Sequence, residues 1–463
     1  MKQNTLSPID NQICVTRTLA STKQIAETVN AASASQIKWA KMPLESRKTI
    51  CSQAISSFIN QKAQIAQEIT MMMGRPIAYT QGEVDGVAER AFSMIEQADR
   101  ALADIHLAEK PGFKRYIKRV PVGTVLVIAP WNYPYLTAIN AVIPALLAGN
   151  SVILKHSAQT PLCAERLVEA FEGTGIPKGV FQFLHTDHLS TEKLIQHPNI
   201  DYVAFTGSVA GGAMVEKNAA GRFIGVGLEL GGKDPAYVRH DADIDHAVET
   251  LVDGALFNSG QSCCGIERIY VHHSIHDEFV QKAVALTKQY QLGNPTDANT
   301  TLGPLVRTEA ANLVRNQIAD AVSQGAIAHI DESLFPASVA GTPYLAPQIL
   351  TKVNHSMQVM TEESFGPVVG IQSVSDDSQA VALMNDSQFG LTASVFTTDE
   401  EAAQQLGEQI QTGTFFVNRC DYLDPELAWT GVKNSGRGCT LSQIGFEMLT
   451  RPKSFHIKIL EAK

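Results

Sequence analysis

The chain has 463 residues, with 37 basic and 47 acidic side chains and a formal net charge of −10. Hydrophobic content of 44% and charged content of 18% exclude wholesale disorder, and the length suits two or three domains or one large enzyme-sized unit. The acidic balance argues against a general nucleic-acid backbone binder, which needs a basic face, but leaves room for a local anion pocket.

The start, MKQNTLSPIDNQ, is polar and lacks the apolar core of a signal peptide. Residues 23–39, 45–73 and 83–107 carry apolar side chains at three-to-four spacing, which predicts helices. After Lys110-Pro111-Gly112 the pattern changes to short apolar runs alternating with helical stretches. Strands are predicted at 122–129, 151–155, 179–184 and 201–207, with helices over 136–147, 161–172 and 213–220. A second alternating region has strands at 235–238, 267–273, 368–374, 393–398 and 414–418, with helices near 243–257, 275–290, 306–324 and 378–386. This rhythm predicts parallel sheets with helical crossovers. SFHIKIL (454–460) stands outside it, as a sheet edge or a strand that pairs with another subunit. The most apolar stretch, 122–154, is interrupted by Pro130, Asn132, Pro134, Asn140, Pro144 and Asn150. A membrane helix needs about 20 largely uninterrupted apolar residues, so no membrane partner is expected.

Four segments could carry chemistry. FNSGQSCCG (257–265) puts two cysteines after a tight turn, where a thiol beside free backbone N–H groups becomes a better nucleophile; the alternative is a buried pair of small residues. LELGGKDP (228–235) ends a strand at Glu229 before two glycines, which lets a carboxyl enter a close-packed cleft and rise toward general-base range; the alternative is a turn residue. VLVIAPWNYPY (125–135) offers the Asn132 amide to a developing oxyanion, or simply forms an Asx-type turn. Gly207-Ser208-Val209-Ala210-Gly211-Gly212 joins a strand to a helix, where backbone N–H groups can face a phosphate, although GxGxxG and GK[ST] are both absent. The seven cysteines, at 14, 51, 163, 263, 264, 420 and 439, are irregularly spaced and include no CxxC pair. The thirteen histidines show no HExxH, and no GxSxG elbow occurs. Reduced thiols, a cytoplasmic location and no metal are the expectation.

In the order Asn132, Lys155, Gly207, Glu229, Cys263 and EESFGP (362–367), the chain closely resembles the NAD(P)-dependent aldehyde dehydrogenase family. The resemblance runs from about Ile25 to the C-terminus, and PWN, FTGS, ELGGK, GQSC and EESFGP are its most specific elements. It implies that Cys263 attacks an aldehyde, that Asn132 and the Cys263 N–H hold the oxyanion, and that Glu229 activates the hydrolytic water. Lys155 would reach the adenosine ribose, while Thr206, Gly207, Ser208 and Gly212 would serve the phosphate and nicotinamide side. Glu363 would bind the nicotinamide ribose, with Phe365 and Trp131 lining the groove. The implied product is a carboxylic acid, and the implied cofactor is NAD or NADP. The implied fold is α/β, with a doubly wound cofactor domain (1–110 and 124–228), an α/β catalytic domain (229–424) and a small β oligomerisation element (111–123 and 440–463). A homodimer or homotetramer is the corresponding assembly.

The chain also departs from the family pattern. Lys155-His156-Ser157-Ala158 stands for Lys-Pro-Ala-Glu, which removes a carboxylate that repels a 2′-phosphate; Ser157 could donate to that phosphate, so NADP use is as plausible as NAD. Ala428-Trp429-Thr430-Gly431 stands for Pro-Phe-Gly-Gly, and Thr440 replaces a glutamate able to communicate with the base. The nearest branch resembles succinate-semialdehyde dehydrogenases, but Asn140 occupies the place of their substrate arginine. Arg419 is the one evident substitute, and the reading leans to an uncharged or modestly polar aldehyde. Two other readings are a catalytically weakened cofactor-binding protein, suggested by Ala158, Thr430 and Thr440, and acyl transfer to coenzyme A, which Glu229 opposes.

Overall fold

The computed structural model describes residues 1–460. Its first large sheet has six strands, in the order Gly436–Arg437, Gly225–Glu229, Tyr202–Thr206, Thr124–Ala129, Ser151–His156 and Phe181–Phe183. All neighbours are parallel except the first pair. Every residue of Thr124–Ala129 is buried, as expected of a central strand covered on both faces. Val125, Val127 and Ala129 pack on one side with the helix Pro134–Ala148, while Leu126 and Ile128 pack on the other with Ile25, Val29 and Ala32 of the helix Thr22–Trp39. The period-two alternation of one strand thus feeds two cores, which is what a doubly wound sheet requires.

From Thr124–Ala129 the chain builds outward through Ser151–His156 to Phe181–Phe183, then returns to lay Tyr202–Thr206 on the opposite flank of Thr124–Ala129. The order therefore reverses between Thr124–Ala129 and Tyr202–Thr206. A crevice opens at the carboxyl ends of strands at such a switch point, and Trp131, Asn132, Thr206 and Gly207 stand there.

The second sheet has seven strands: Ile327–Ala328, Gln348–Thr351, Val368–Val374, Ile266–His272, Asp234–Val238, Thr392–Phe396 and Thr414–Val417. Only its first pair is antiparallel. Ala236 and Val238 point into one core, and Tyr237 into the other. A third, antiparallel sheet joins Thr450–Lys458 to Phe113–Pro121 and that strand to Ile105–His106, with Thr450 opposite Pro121 and Lys458 opposite Phe113. Residues 461–463 of the predicted 440–463 segment lie outside the described residues.

The sequence reading needs four corrections. An N-terminal hairpin, Lys2–Leu6 with Ile13–Thr18, went unread because Thr5 and Val15 are the only buried positions on its strands, too few to make an alternation. The predicted helix 45–73 is two, Leu44–Ile59 and Lys62–Met73, broken at Asn60-Gln61 without a gap in apolar spacing. The helix predicted over 83–107 spans Ile77–Ala101, starting directly after Pro76, and Ile105–His106 is a short strand. Gln348–Thr351 is a fully buried strand that adds an edge pair to the second sheet.

Candidate active site

The helix Ile244–Leu256 runs into a tight turn at Phe257–Gly260, in which Asn258, Ser259 and Gly260 all adopt positive φ (53°, 56° and 71°). Left-handed backbone at two non-glycine residues is costly, so the surroundings must hold it. Several hydrogen bonds do so. The Asn258 amide donates to the Gln261 and Asn132 carbonyls (3.2 and 3.3 Å), Gln261 Nε2 donates to the Asn258 carbonyl (3.1 Å), and Gln261 Oε1 accepts from the Val306 N–H (2.8 Å). A Cβ on Gly260 would come within 2.2 Å of the Gly366 carbonyl, so the turn also needs its glycine to lie against the EESFGP loop. This lattice delivers Cys263, half-buried, to the wall of a cavity of about 1030 Å³.

Cys264 borders the same cavity but is less exposed. It is buried, and its thiol donates to Asp421 Oδ1 (2.9 Å) beside the Ser262 hydroxyl (3.2 Å). Burial pushes the Asp421 carboxyl up to about 7, while the hydrogen bond with Cys263 and then burial hold the Cys264 thiol well above its ordinary range. Of the adjacent pair, then, Cys264 has a packing and hydrogen-bonding task.

Asn132 is buried, and its Nδ2 donates to the Gln261 carbonyl (3.2 Å), two residues before Cys263. One amide hydrogen of Asn132 remains for a ligand. Its carbonyl accepts from the Arg75 guanidinium, whose other nitrogens reach Glu83 and Asn258 Oδ1. Arg75 and Glu83 form a fully buried ion pair, and Glu83 also caps the helix Pro134–Ala148 by accepting from the Tyr135 N–H (2.8 Å).

Glu229 closes the strand Gly225–Glu229 and lines the same cavity as Cys263. Its Oε2 accepts from the Thr206 hydroxyl (3.1 Å) and its Oε1 from the Thr440 hydroxyl. Burial raises its pKa, which these two donors and the Arg90 guanidinium partly offset. The carboxylate replaced at position 440 has thus left a hydroxyl in direct contact with the base. Asn140, in place of a substrate arginine, is buried and accepts from Arg90 Nη1 (3.3 Å). Arg90 is the buried cation of this cavity, whereas Arg419 lies flat on the Tyr422 ring, 3.6 Å from its centroid.

The expected cofactor residues are gathered at the switch point. Trp131 meets Phe365 edge-on at 5.7 Å. Ser208 caps the helix Val209–Ala219 by accepting from the Gly211 N–H (3.2 Å), and Gly212 sits buried where a Cβ would strike Leu230 at 2.7 Å. Glu363 accepts from the Gly232 N–H (2.9 Å), and its carboxyl is raised to about 7, chiefly by burial and secondly by Glu267. Lys155 and Ser157 flank the end of Ser151–His156; Ser157 Oγ accepts from the Gln159 N–H (3.2 Å). Lys155 has no hydrogen-bond acceptor among the described residues, and burial lowers its pKa. An ammonium with no protein acceptor, the first N–H groups of the helix Val209–Ala219 and the Glu363 carboxyl are the kinds of group that fit a dinucleotide.

Sequence reasoning missed the residues that set these positions. Lys233 and Glu267 form a buried pair, Glu267 accepts the Ser364 and Phe365 N–H groups, and Lys233 Nζ reaches Ser364 Oγ (3.2 Å). The ELGGK and EESFGP motifs are thereby one structure. Lys233 stood inside a motif already singled out; Arg75, Glu83 and Arg90 gave no local signal. Among the described residues no group of three His, Cys, Asp or Glu is arranged to hold a metal, and no helix is long and apolar enough to cross a membrane.

A doubly wound sheet, with a cysteine and a partly buried glutamate on one cavity and an asparagine amide bonded to the turn that presents the cysteine, defines a class of nucleotide-dependent enzymes that work through a thiol. Comparison with known proteins agrees: the family model "Aldehyde dehydrogenase family" matches residues 1–455, and the chain belongs to that family. It is 35% identical over 389 residues to a succinate semialdehyde dehydrogenase [NAD(P)+] of Escherichia coli, covering 82% of each chain. Solved structures superpose closely. A succinic semialdehyde dehydrogenase from Streptococcus pyogenes in complex with NADP+ gives a TM-score of 0.93 at 29% identity, covering 98% of this chain and 100% of the other. A betaine aldehyde dehydrogenase from Staphylococcus aureus in complex with NAD+ gives 0.93 at 28%, covering 100% and 93%. The protein oxidises an aldehyde to a carboxylic acid by the thiohemiacetal and thioester route, with NAD or NADP.

Proposed function

We propose that Cys263 is the nucleophile, Asn132 and the Cys263 N–H the oxyanion donors, and Glu229 the base of the hydrolytic step. The observation that carries this is the bond from Asn132 to the Gln261 carbonyl, which ties the amide to the turn presenting Cys263, with Glu229 in the same cavity. The Cys263 thiolate attacks the carbonyl carbon and forms a C–S bond, and the carbonyl electrons move to oxygen. Asn132 and the backbone N–H hold that oxyanion, a contribution of about 3 kcal/mol per donor. Lys155, Glu363 and the residues from Thr206 to Gly212 would hold NAD(P) at the switch-point crevice, where it would supply the hydride acceptor; the tetrahedral adduct on Cys263 becomes a thioester when its carbon gives up the hydride and the oxyanion electrons re-form the carbonyl. Glu229 then removes a proton from water as its oxygen attacks the thioester carbon, and the C–S bond breaks to release the acid.

The partly buried, raised carboxyl of Glu229 favours hydrolysis over acyl transfer to coenzyme A, and its contact with Thr440 weighs against a dead relative. Rapid mixing of enzyme, aldehyde and cofactor tests the assignment. Glu229→Gln is expected to give a stoichiometric burst of reduced nicotinamide and then stall; steady turnover by that variant would refute the role.

For the substrate we infer an uncharged or modestly polar aldehyde. Asp85 and Glu89 on the helix Ile77–Ala101 and Glu249 and Asp253 on the helix Ile244–Leu256 line the cavity, each pair four residues apart, and oppose an anionic tail. The units proposed are a cofactor domain (1–110, 124–228), a catalytic domain (229–424) and an oligomerisation element (111–123, 440–463), in a cytoplasmic homodimer or homotetramer. The long antiparallel strand Thr450–Lys458, exposed along most of its length, supports the last of these.

A further inference from the structure

Glu229 is the shared wall of two cavities. One is the large cavity that also holds Cys263; the other, behind it, measures about 30 Å³ and is lined by Thr137, Tyr202, Arg437, Cys439 and Thr440. The rear space has room for a water molecule. Thr206 borders both cavities, whereas Thr440 borders only the rear one. The two hydroxyls divide the carboxylate between them, Thr206 on Oε2 and Thr440 on Oε1. One oxygen of the base is therefore anchored away from the nucleophile.

We propose that Thr440 is a positioning residue for Glu229: its hydroxyl holds the carboxylate oriented between the two cavities, so that the hydrolytic half-reaction depends on it and the oxidation of the aldehyde does not. This rests on the reading of Glu229 as the base. The side chain of Thr440 is separable from its structural duty, because the strand-like pairing with Trp429 is made by backbone in both directions (2.9 Å each). The hydroxyl serves Glu229 alone among the described residues, while the neighbouring Thr430 donates instead to the Gly438 carbonyl (2.5 Å).

A donor on the ionised form favours that form, so Thr440 counters the effect of burial on the base. The other groups facing Glu229 are Arg90 from the helix Ile77–Ala101, Tyr202 on the adjacent strand, Cys439 and Arg437 behind it, and Cys263 and Cys264 across the large cavity. Arg437 is engaged at the surface with Glu216 (2.8 Å), which leaves Arg90 as the cation acting on the base from inside the protein.

The test compares Thr440→Val, which keeps the shape and removes the hydroxyl, with Thr440→Ser, which keeps the hydroxyl. In rapid mixing with an aldehyde and either cofactor, Thr440→Val is expected to retain the burst of reduced nicotinamide and to lose about tenfold in steady-state rate, the scale of one hydrogen bond to a charged group. The pH at which thioester hydrolysis reaches half its maximum should move upward in Thr440→Val, since the carboxylate loses a donor. Thr440→Ser should stay within about twofold of the parent in both respects. A Thr440→Val enzyme with unchanged steady-state rate and pH profile overturns the proposal. So does a Thr440→Ser enzyme as impaired as Thr440→Val, because the methyl packing would then be what matters. Glu229→Gln, run alongside, separates the two claims: if it turns over steadily, the reading of the base has failed; if it stalls while Thr440→Val keeps the parent's steady-state rate and pH profile, only the role of Thr440 has failed.

Discussion

Ala158 lies exposed in the turn after the strand Ser151–His156, and its carbonyl accepts from the Thr5 hydroxyl (2.8 Å) of the N-terminal hairpin. The turn is fixed by its backbone, so a side chain at 158 can change without moving Lys155. A carboxylate there would grip ribose hydroxyls and repel a 2′-phosphate. Ala158→Glu is therefore expected to raise the KM for NADP by more than about tenfold while sparing that for NAD; parallel steady-state assays with the two cofactors check it, and equal changes for both would contradict it. Cys263, Glu229 and Asn132 were legible because each stands in a short motif whose residue types suit one chemistry. Glu83 and Arg90 were not, because a charged residue on an amphipathic helix reads as a solvated face, and Arg75 was not, because it stands in the short Gly74–Pro76 connection outside any motif. Only the packing of the helices Ile77–Ala101 and Pro134–Ala148 against each other shows that these three point inward.

Between elements, the Arg75–Glu83 pair joins the start of the helix Ile77–Ala101 to the N-terminus of Pro134–Ala148 and to the carbonyl of Asn132. Removing one partner of such a buried pair leaves an uncompensated charge and costs about 3–5 kcal/mol. Glu83→Ala is expected to lower stability by that order in denaturant titration and to reduce the burst rate, since Asn132 loses its support. An unchanged midpoint with an unchanged burst would show that the pair does not hold the oxyanion donor. Strands and helices with strong periodicity were legible, and so was the parallel-sheet rhythm. The break at Asn60-Gln61 was not, because the apolar spacing continues across it. Nor was the N-terminal hairpin, whose contacts are largely polar and come from sequence positions about 150 residues away, such as Ala158 and Gln159.

On the scale of the whole molecule, the three-stranded sheet stands apart from the two large ones. Its long strand Thr450–Lys458 carries Phe455 stacked on Tyr116 (centroids 4.6 Å apart) and leads through exposed Ile457 and Ile459 to Leu460. An apolar edge of this kind suits pairing with a second copy. Ile457→Lys is expected to shift the particle mass toward the monomer in light scattering; a parent protein already monomeric, or a variant with the parent's multi-subunit mass, would contradict the assignment. Acidity, the first property read from the chain, bears on the large cavity through Asp85, Glu89, Glu249 and Asp253, and little on the proposed cofactor crevice, whose reading rests on Lys155 and backbone N–H groups.

Catalysis through a covalent bond to Cys263 must leave an acyl group on that sulfur whenever hydrolysis is blocked. Mass spectrometry of Glu229→Gln, quenched after mixing with an aldehyde and cofactor and read both intact and after proteolytic digestion, tests this. The expected result is an added acyl mass on a peptide containing Cys263, absent from the double variant that also carries Cys263→Ala, which should produce no reduced nicotinamide at all. Acyl mass on another residue, or nicotinamide reduction that survives Cys263→Ala, would contradict the account.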